Sequence, residues 1–166
     1  NLIEIDLRDN EIKRLPPQIT KLKRLFVVKF DRNPVWDEIM WENQGFLRYP
    51  KILFHFTNLR SLSLGYNRIT NIPSSISRLG NLRSLFLQNN SIHRGGLSQE
   101  ITVLTKLEVL NANFNPVASS LQWSNIDPTG ALRILRLINN TMKDLDLSNG
   151  RFSAGETATV LQLLPR

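Results

Sequence analysis

Aliphatic residues return along this chain at a fixed spacing. Leu59, Leu62 and Leu64 are followed by Asn67, and the same arrangement restarts 23 residues later at Leu82. Two leucines that flank a single residue alternate as a short β-strand does, so both point to the same side. A period in the twenties is typical of a solenoid, in which each repeat buries its leucines only by stacking on its neighbours.

An asparagine follows each predicted strand. Its side-chain amide can bond the backbone groups that the turn out of the strand leaves without partners, and stacked copies would form a ladder. The predicted ladder consists of Asn10, Asn33, Asn67, Asn90, Asn115 and Asn140. An aliphatic residue or Phe stands three and five positions before nearly every one of them, and only Ala112 departs from this rule. The pattern predicts six rungs, which start at Leu2, Leu25, Leu59, Leu82, Leu107 and Leu132.

The spacing of the ladder asparagines is interrupted once in the first half of the chain. Asn33 and Asn67 are 34 residues apart instead of 23, which predicts an insertion of eleven residues near 36–48. This segment carries the aromatic residues Trp36, Trp41 and Phe46 beside acidic ones. Loops on a rigid scaffold often carry function. The alternative is that these aromatic rings fold back onto the convex side as a local plug.

The end of the chain departs from the repeat. We expect the repeat array over 1–142, and a terminal cap or a further partial repeat over 143–166. A strand-like stretch at Leu145 follows the preceding predicted strand by about ten residues, whereas a solenoid turn needs about twenty or more. Either the chain leaves the register here, or residues are missing between Asn140 and Lys143. The tail from Ala154 to Leu164 has helical spacing. Because a strand begins at once, we interpret the sequence as a piece of a longer array.

Charge is distributed unevenly. Residues 48–106 contain eight basic side chains and one acidic, whereas residues 1–47 contain eight of each, so the net charge of +7 is regional. Such a region can attract an acidic protein, a phosphopeptide, RNA or a membrane surface. A nucleic-acid partner has no motif to support it.

The concave face of such a solenoid would hold the candidate binding residues. Neighbouring strands lie about 4.8 Å apart, so equivalent positions between the core leucines form columns. The candidates for partner binding are Arg60, Arg83, Tyr66, Phe86, Phe114 and Arg136. Exposed aromatic rings beside arginine dominate the energies of many interfaces. The alternatives are solvated strand residues or contacts with a flanking domain.

No chemistry for catalysis stands out. His55 and His93 lie in no metal-binding spacing, and the chain has no cysteine. No Walker A loop, G-x-S-x-G or G-x-G-x-x-G is present. We therefore predict no catalytic residues, metal site or cofactor, and no enzyme. We predict no transmembrane segment, because no apolar run approaches about 18 residues. The lack of cysteine favours an intracellular location, with the cytoplasm as the first expectation.

Two stretches carry a family resemblance: Leu15-Pro16-Pro17-x-Ile19-x-x-Leu22 and Ile72-Pro73-x-x-Ile76-x-x-Leu79. With the order L-x-x-L-x-L-x-x-N-x-I, residues 1–142 resemble the 23-residue typical leucine-rich repeats of intracellular proteins such as Ras-suppressor-like and Scribble-like scaffolds. The resemblance implies an α/β fold: a right-handed solenoid with a parallel β-sheet on the concave face, and short helical, 3-10 or irregular segments on the convex side.

The same resemblance implies a function in binding. We expect a non-catalytic protein–protein interaction scaffold, as a segment of a larger protein or assembly. One alternative is the recognition domain of an immune-type sensor or receptor. Another is a docking surface for an acidic protein or a nucleic acid within a large complex.

Overall fold

Short parallel strands and short 3-10 helices alternate along most of the chain. The computed structural model describes residues 2–33, 37–93, 95–116, 120–122, 129, 134, 144–146 and 153–163. Over these residues the elements follow one another as the α/β solenoid prediction requires, which confirms the fold class. None of the helices within these ranges is long and apolar enough to cross a membrane.

The described strands form three parallel sheets. They are β1 (Glu4–Asp6), β2 (Val27–Lys29), β3 (Glu38–Met40), β4 (Ser61–Ser63), β5 (Ser84–Phe86), β6 (Val109–Asn111), β7 (Ser120–Gln122) and β8 (Asp144–Asp146). Their orders are β1-β2, β3-β4-β5-β6 and β7-β8. The α-helix Ala154–Leu163, called α1 here, confirms the helical spacing of the tail.

The leucines of successive strands stack into one core. Leu62 lies opposite Leu85, and Leu85 lies opposite Leu110. All three are at most 3% exposed. Five of the described strands, β1, β2, β4, β5 and β6, begin two residues after the predicted rung starts. Each repeat therefore buries its leucines against the next, as the sequence pattern requires.

The asparagine ladder is present. The Nδ2 atom of Asn90 donates to the carbonyl oxygens of Leu64 at 2.9 Å and Leu87 at 3.0 Å, and its Oδ1 accepts from the amide of Ile69 at 2.9 Å. Asn33, Asn67 and Asn115 also bridge adjacent rungs. Buried backbone groups at the turns are thereby paired. Asn140 lies outside the described residues.

Four 3-10 helices cross the far side of the core. They span Pro17–Lys21, Lys51–His55, Ser74–Arg78 and Gln99–Val103. Three of them follow an N-cap proline, whose restricted φ suits the first turn and which lacks an N–H that the turn would leave unpaired. The middle residue of each, such as Leu53 or Ile76, is buried in the core.

The prediction of an insertion near 36–48 is wrong. Residues Glu38–Met40 form β3, and Ile39 lies opposite Leu62 with the ordinary offset of 23 residues. Trp41 occupies a core position at 2% exposure, and Phe46 packs half-buried with its ring centroid 6.1 Å from that of Trp41. Trp36 lies outside the described residues.

The strand was missed because two of its signature residues are replaced. Trp41 stands where the repeat has leucine, and Gln44 stands where it has asparagine. The short repeat is the preceding one, since Ile39 follows its equivalent Val28 by only 11 residues. Too few residues separate β2 and β3 for an outer arc, because a crossover between parallel strands needs about a dozen residues or more. The sheet is accordingly interrupted between them.

The C-terminal region differs from the predicted register. The strand-like stretch at Leu145 is β8, which pairs in parallel with β7. Ile134 is helical and fully buried, which contradicts a strand at that position. The other residues of the predicted sixth strand lie outside the described residues, and so do residues 142 and 143 on either side of the predicted boundary. The division into array and cap stays a prediction.

Candidate protein-interaction surface

The face of β3–β6 that points away from the core, called here the concave face, gathers most of the predicted binding residues. Strand pairing places Met40, Ser63, Phe86 and Asn111 in one column across the four strands. The rungs of β4, β5 and β6 bring together the predicted residues Arg60, Arg83, Tyr66, Phe86 and Phe114. Arg136 lies outside the described residues.

Two aromatic residues of this face have a strained backbone. Every described rung leaves its strand through a residue with positive φ, between 53° and 59°: Asp9, Arg32, Asn43, Tyr66, Asn89 and Phe114. Asn and Asp tolerate this left-handed region, whereas other L-residues lose about 1–2 kcal/mol there. Tyr66 and Phe114 nevertheless adopt φ of 56°, while their side chains are 55% and 78% exposed. Burial of the rings therefore does not offset the strain.

Further apolar surface lies in the neighbouring column. Met40 on β3 is 62% exposed, and Phe86 on β5 is half-buried. Sequence reasoning missed Met40, because it treated this strand as an insertion. The 23-residue offset between Ile39 and Leu62 was the available signal.

The arginines of this face are framed by carboxylates. Register places Asp37, Arg60, Arg83 and Glu108 in one column. The guanidinium of Arg83 forms an ion pair with Glu108. Arg60 and Arg83 are adjacent like charges in this column, and the ion pair supplies Arg83 with a partner from the next rung.

A polar cluster connects three rungs of the same face. The hydroxyl of Ser63 donates to the Glu42 carboxylate, and the Nε2 atom of Gln88 lies 3.5 Å from the same oxygen. Gly65 makes this approach feasible, because a Cβ there would lie 2.6 Å from Gln88 Nε2. The Oε1 atom of Gln88 is buried and has no hydrogen-bond partner among the described residues.

The regional excess of positive charge does not form one surface. The concave face of β3–β6 carries the carboxylates of Asp37, Glu38, Glu42 and Glu108 beside Arg60 and Arg83. Lys51 and Arg78 instead lie in the 3-10 helices on the far side of the core. There, burial and the nearby charge of Arg78 lower the pKa of His55. The expectation of an anionic partner at this face therefore gains no support from the fold.

The geometry matches the expected family. A family model described as "Leucine rich repeat" matches residues 43–92 and 57–117. Residues 43–117 of this chain are therefore leucine-rich repeats. The match begins within the repeat of β3 that the sequence pattern had presented as an insertion. Within the described part of this leucine-rich repeat chain, no three His, Cys, Asp or Glu side chains are grouped to hold a metal ion.

Relatives contain this stretch as a part of a larger chain. Adenylate cyclase of Schizosaccharomyces pombe is 24% identical over 134 residues, which are 81% of this chain and 7% of the cyclase. Leucine-rich repeat-containing protein 51 of Rattus norvegicus is 36% identical over 67 residues, which are 40% of this chain and 35% of that protein. The chain therefore spans a minor share of the length of these relatives.

This chain is also similar to a solved structure. A leucine-rich repeat protein of Leptospira interrogans is 28% identical to this chain, with a TM-score of 0.44. The similarity covers 99% of this chain and 36% of the Leptospira protein.

Proposed function

We propose that this leucine-rich repeat chain is a non-catalytic protein-binding module whose contact surface is the concave face of β3–β6. The strained, exposed aromatic residues Tyr66 and Phe114 carry the proposal. Asn43 and Asn89 stand at the equivalent position in the neighbouring rungs. They adopt the same turn at a lower cost in conformational free energy. The turn itself is common to every described rung, but it does not require an aromatic residue. Residues held in the left-handed region cluster at functional positions, and we attribute the aromatic side chains there to contact with a partner.

The proposed surface has the composition of an interface centre. Tyr66 and Phe114 lie two rungs apart, about 10 Å at the ordinary strand spacing. Met40 and Phe86 extend the apolar area, and Arg60 borders it. Aromatic and arginine side chains supply much of the energy of protein interfaces.

A protein partner suits this face better than a nucleic acid. Four carboxylates against two arginines would repel a phosphate backbone, since nucleic-acid binding relies on clustered basic charge. A partner with basic side chains beside apolar ones fits the observed charges. No observation favours the immune-type sensor, and the cyclase activity of the fission yeast relative is not transferred, because the chain matches only 7% of that protein. A scaffold role in a larger protein or assembly follows.

The test uses the strain itself. The double variant Tyr66→Asn/Phe114→Asn relieves the backbone at both turns, so the free energy of unfolding is expected to rise by about 1–2 kcal/mol for each turn. The same change removes the aromatic anchors, so affinity for a captured and purified partner is expected to fall by about 30-fold or more. Urea denaturation and isothermal titration calorimetry measure the two effects.

Phe26 provides a matched control. Its ring is 77% exposed, close to the 78% of Phe114, but it lies on the β2 rung and its φ is not positive. Phe26→Ser is expected to change neither affinity nor stability appreciably. Unchanged partner affinity of the folded Tyr66→Asn/Phe114→Asn protein would refute the proposal, as would an equal loss caused by Phe26→Ser.

A further inference from the structure

A groove lies inside the repeat array, between β3 and the segment Arg14–Pro17 of the first repeat. We infer that this groove binds an extended peptide segment of a partner protein, with basic side chains alternating with apolar ones, as an added strand on the free edge of β3. This site borders the aromatic surface around Tyr66 and Phe114 and shares Met40 with it. It takes its specificity from backbone groups of the edge strand and from nearby carboxylates.

The groove has two walls of different character. One wall is the strand from Glu38 to Trp41, and the other is the extended segment from Arg14 to Pro17 in the first repeat. Together they enclose a volume of about 510 Å³. This lies within the usual range of about 300–1,000 Å³ for ligand pockets.

A buried hydrogen bond holds the walls together. The indole Nε1 of Trp41 donates to the carbonyl oxygen of Leu15 at 3.0 Å. Trp41 is 2% exposed and Leu15 is 8% exposed, so this bond is protected from water. Phe30, which follows β2, stacks on Phe56, the C-cap of the 3-10 helix Lys51–His55, with ring centroids 4.6 Å apart. The groove is therefore a built feature of the packed core.

The edge of β3 presents unpaired backbone groups to the groove. Toward β4, the amides of Trp41 and Asn43 donate to Ser63 and Gly65 at 2.8 Å and 3.2 Å. Because backbone groups of alternate strand residues point to opposite edges, those of Glu38 and Met40 point away from β4. Among the described residues β3 has no strand on that side. Such an edge is a template for pairing with another strand.

The opposite wall of the groove does not pair with the backbone groups at the edge of β3. Pro16 and Pro17 have no backbone N–H to donate, and Pro16 is extended with φ of −72° and ψ of 141°. An extended peptide supplies both donors and acceptors, which is the basis of strand addition in peptide recognition. The edge from Glu38 to Glu42 spans about 16 Å, which is enough for about five peptide residues.

The charge and exposure of the residues along the groove indicate which peptide side chains it would bind. Asp37, Glu38 and Glu42 lie along this strand, and residues 37–47 contain no Lys or Arg, while the exposed Arg14 lines the opposite wall. Glu38 is exposed, so its carboxylate is available to a basic side chain of the peptide. Ile39 and Leu15 line the interior of the groove, where an apolar side chain of the peptide would be buried.

The first experiment changes the peptide and leaves the protein intact. The probe is a capped hexapeptide, Lys-Val-Lys-Val-Lys-Val, titrated into the full chain by calorimetry. Two N-methylated copies carry methyl groups on the backbone nitrogens of either the three Lys or the three Val residues. Only one of these sets can face the β3 edge. One copy is expected to bind at least about tenfold more weakly and the other to bind like the parent peptide, because a hydrogen bond contributes about 1 kcal/mol.

The second experiment changes the edge. Met40→Pro removes an N–H that faces the groove, whereas Met40→Ala keeps it. Loss of peptide binding is expected for the proline variant alone, with slow hydrogen exchange at the amides of Trp41 and Asn43 showing that β3 still pairs with β4. Glu38→Lys is expected to weaken the basic peptide about tenfold or more and to favour a copy with Glu in place of Lys. Lys51→Ala, on the far side of the core, is expected to leave binding unchanged.

Four results would overturn the inference. They are failure of the parent peptide to bind the folded chain, equal weakening by both methylated copies, indifference to Glu38→Lys, and concentration-dependent dimerisation that protects the Met40 amide without peptide. The last would make a second copy of this chain the occupant. Should Met40→Pro fail to fold, the methylated peptides decide the question without it.

Discussion

The first sheet, β1-β2, and the four-stranded sheet, β3–β6, are built from the same repeat but treat their outward faces differently. Outward residues of the first sheet are joined in ion pairs, which are Arg8–Asp6, Lys29–Glu4 and Arg32–Asp9. The four-stranded sheet instead exposes Tyr66 and Phe114 on a strained backbone. Exposed apolar residues occur on the first sheet too, for example Phe26, but at ordinary φ. Arg32 of the first sheet meets the same left-handed turn, so what distinguishes the proposed contact surface is an exposed aromatic ring at that turn.

The inner faces differ as well. In the four-stranded sheet Leu62 and Leu85 are fully buried, because each has a rung on both sides. In the first sheet Leu2 is 45% exposed and Leu7 is half-buried. A repeat gains its stability from its neighbours, so equivalent substitutions should have unequal effects in the two sheets.

The largest expected difference comes from one pair of equivalent leucines. Leu87 and Leu7 both stand three residues before a ladder asparagine, but Leu87 is fully buried and Leu7 is half-buried. We expect Leu87→Ala to lower the free energy of unfolding by about 3 kcal/mol and Leu7→Ala by about 1 kcal/mol. Urea denaturation measures both. Equal losses would show that the two sheets are equally packed.

The ladder should show the same contrast at smaller size. Asn90 is buried and bonds two rungs, whereas Asn10 is exposed and donates only to Leu7 and Arg8 of its own rung. We expect Asn90→Ala to cost about 2 kcal/mol, since it leaves buried backbone groups unpaired, and Asn10→Ala less than about 1 kcal/mol. Faster hydrogen exchange at the Ile69 amide should accompany only the first change. A larger effect of Asn10→Ala would contradict this account.

The smallest expected effect is on stability at acidic pH. The hydrogen bond from Arg8 lowers the pKa of Asp6 to about 2 in the folded chain. Because the folded pKa lies below the unfolded value of about 3.9, the ionised carboxylate stabilises β1 above that pH. This contribution is lost as pH falls toward about 2.

The carboxyl shift of Asp6, followed by NMR, should titrate near pH 2, and Arg8→Ala should return the midpoint toward about 4. The effect on stability should be slight, because the pair is exposed to solvent. A titration midpoint of Asp6 near pH 4 in the unaltered chain would show that the Arg8–Asp6 pair does not stabilise the ionised carboxylate.

Local pattern predicted the parts of the fold that repeat. The spacing of leucines located β1, β2, β4, β5 and β6, and the asparagines located the ladder. Both signals are local, because each rung must bury the same few side chains at the same points of its coil. The pattern failed at β3, where Trp41 and Gln44 replace the expected types. Burial of Trp41 depends on Leu15, which is distant in the sequence.

The sequence predicted most residues of the candidate surface, but not the charges that surround them or the exposure of their side chains. Register followed from spacing, so the grouping of Arg60, Tyr66, Phe86 and Phe114 could be predicted. The exposure of Met40 and the carboxylates of β3 beside the arginines could not be predicted, because the spacing of the ladder asparagines did not show that β3 is a neighbouring rung. The ion pair between Arg83 and Glu108 required the positions of the two side chains.

The sequence by itself determined that short coils with buried leucines stack into a leucine-rich repeat array. The buried positions require leucine at the same points of each repeat, so the sequence alone suffices to predict them. Only the tertiary structure decided where the array is interrupted, since a missing outer arc looks like an inserted loop until strands are paired. It also decided that the outward rings of Tyr66 and Phe114 lie on strained turns, because that requires the φ of each rung. Interactions between rungs, about 23 residues apart in the chain, set both features.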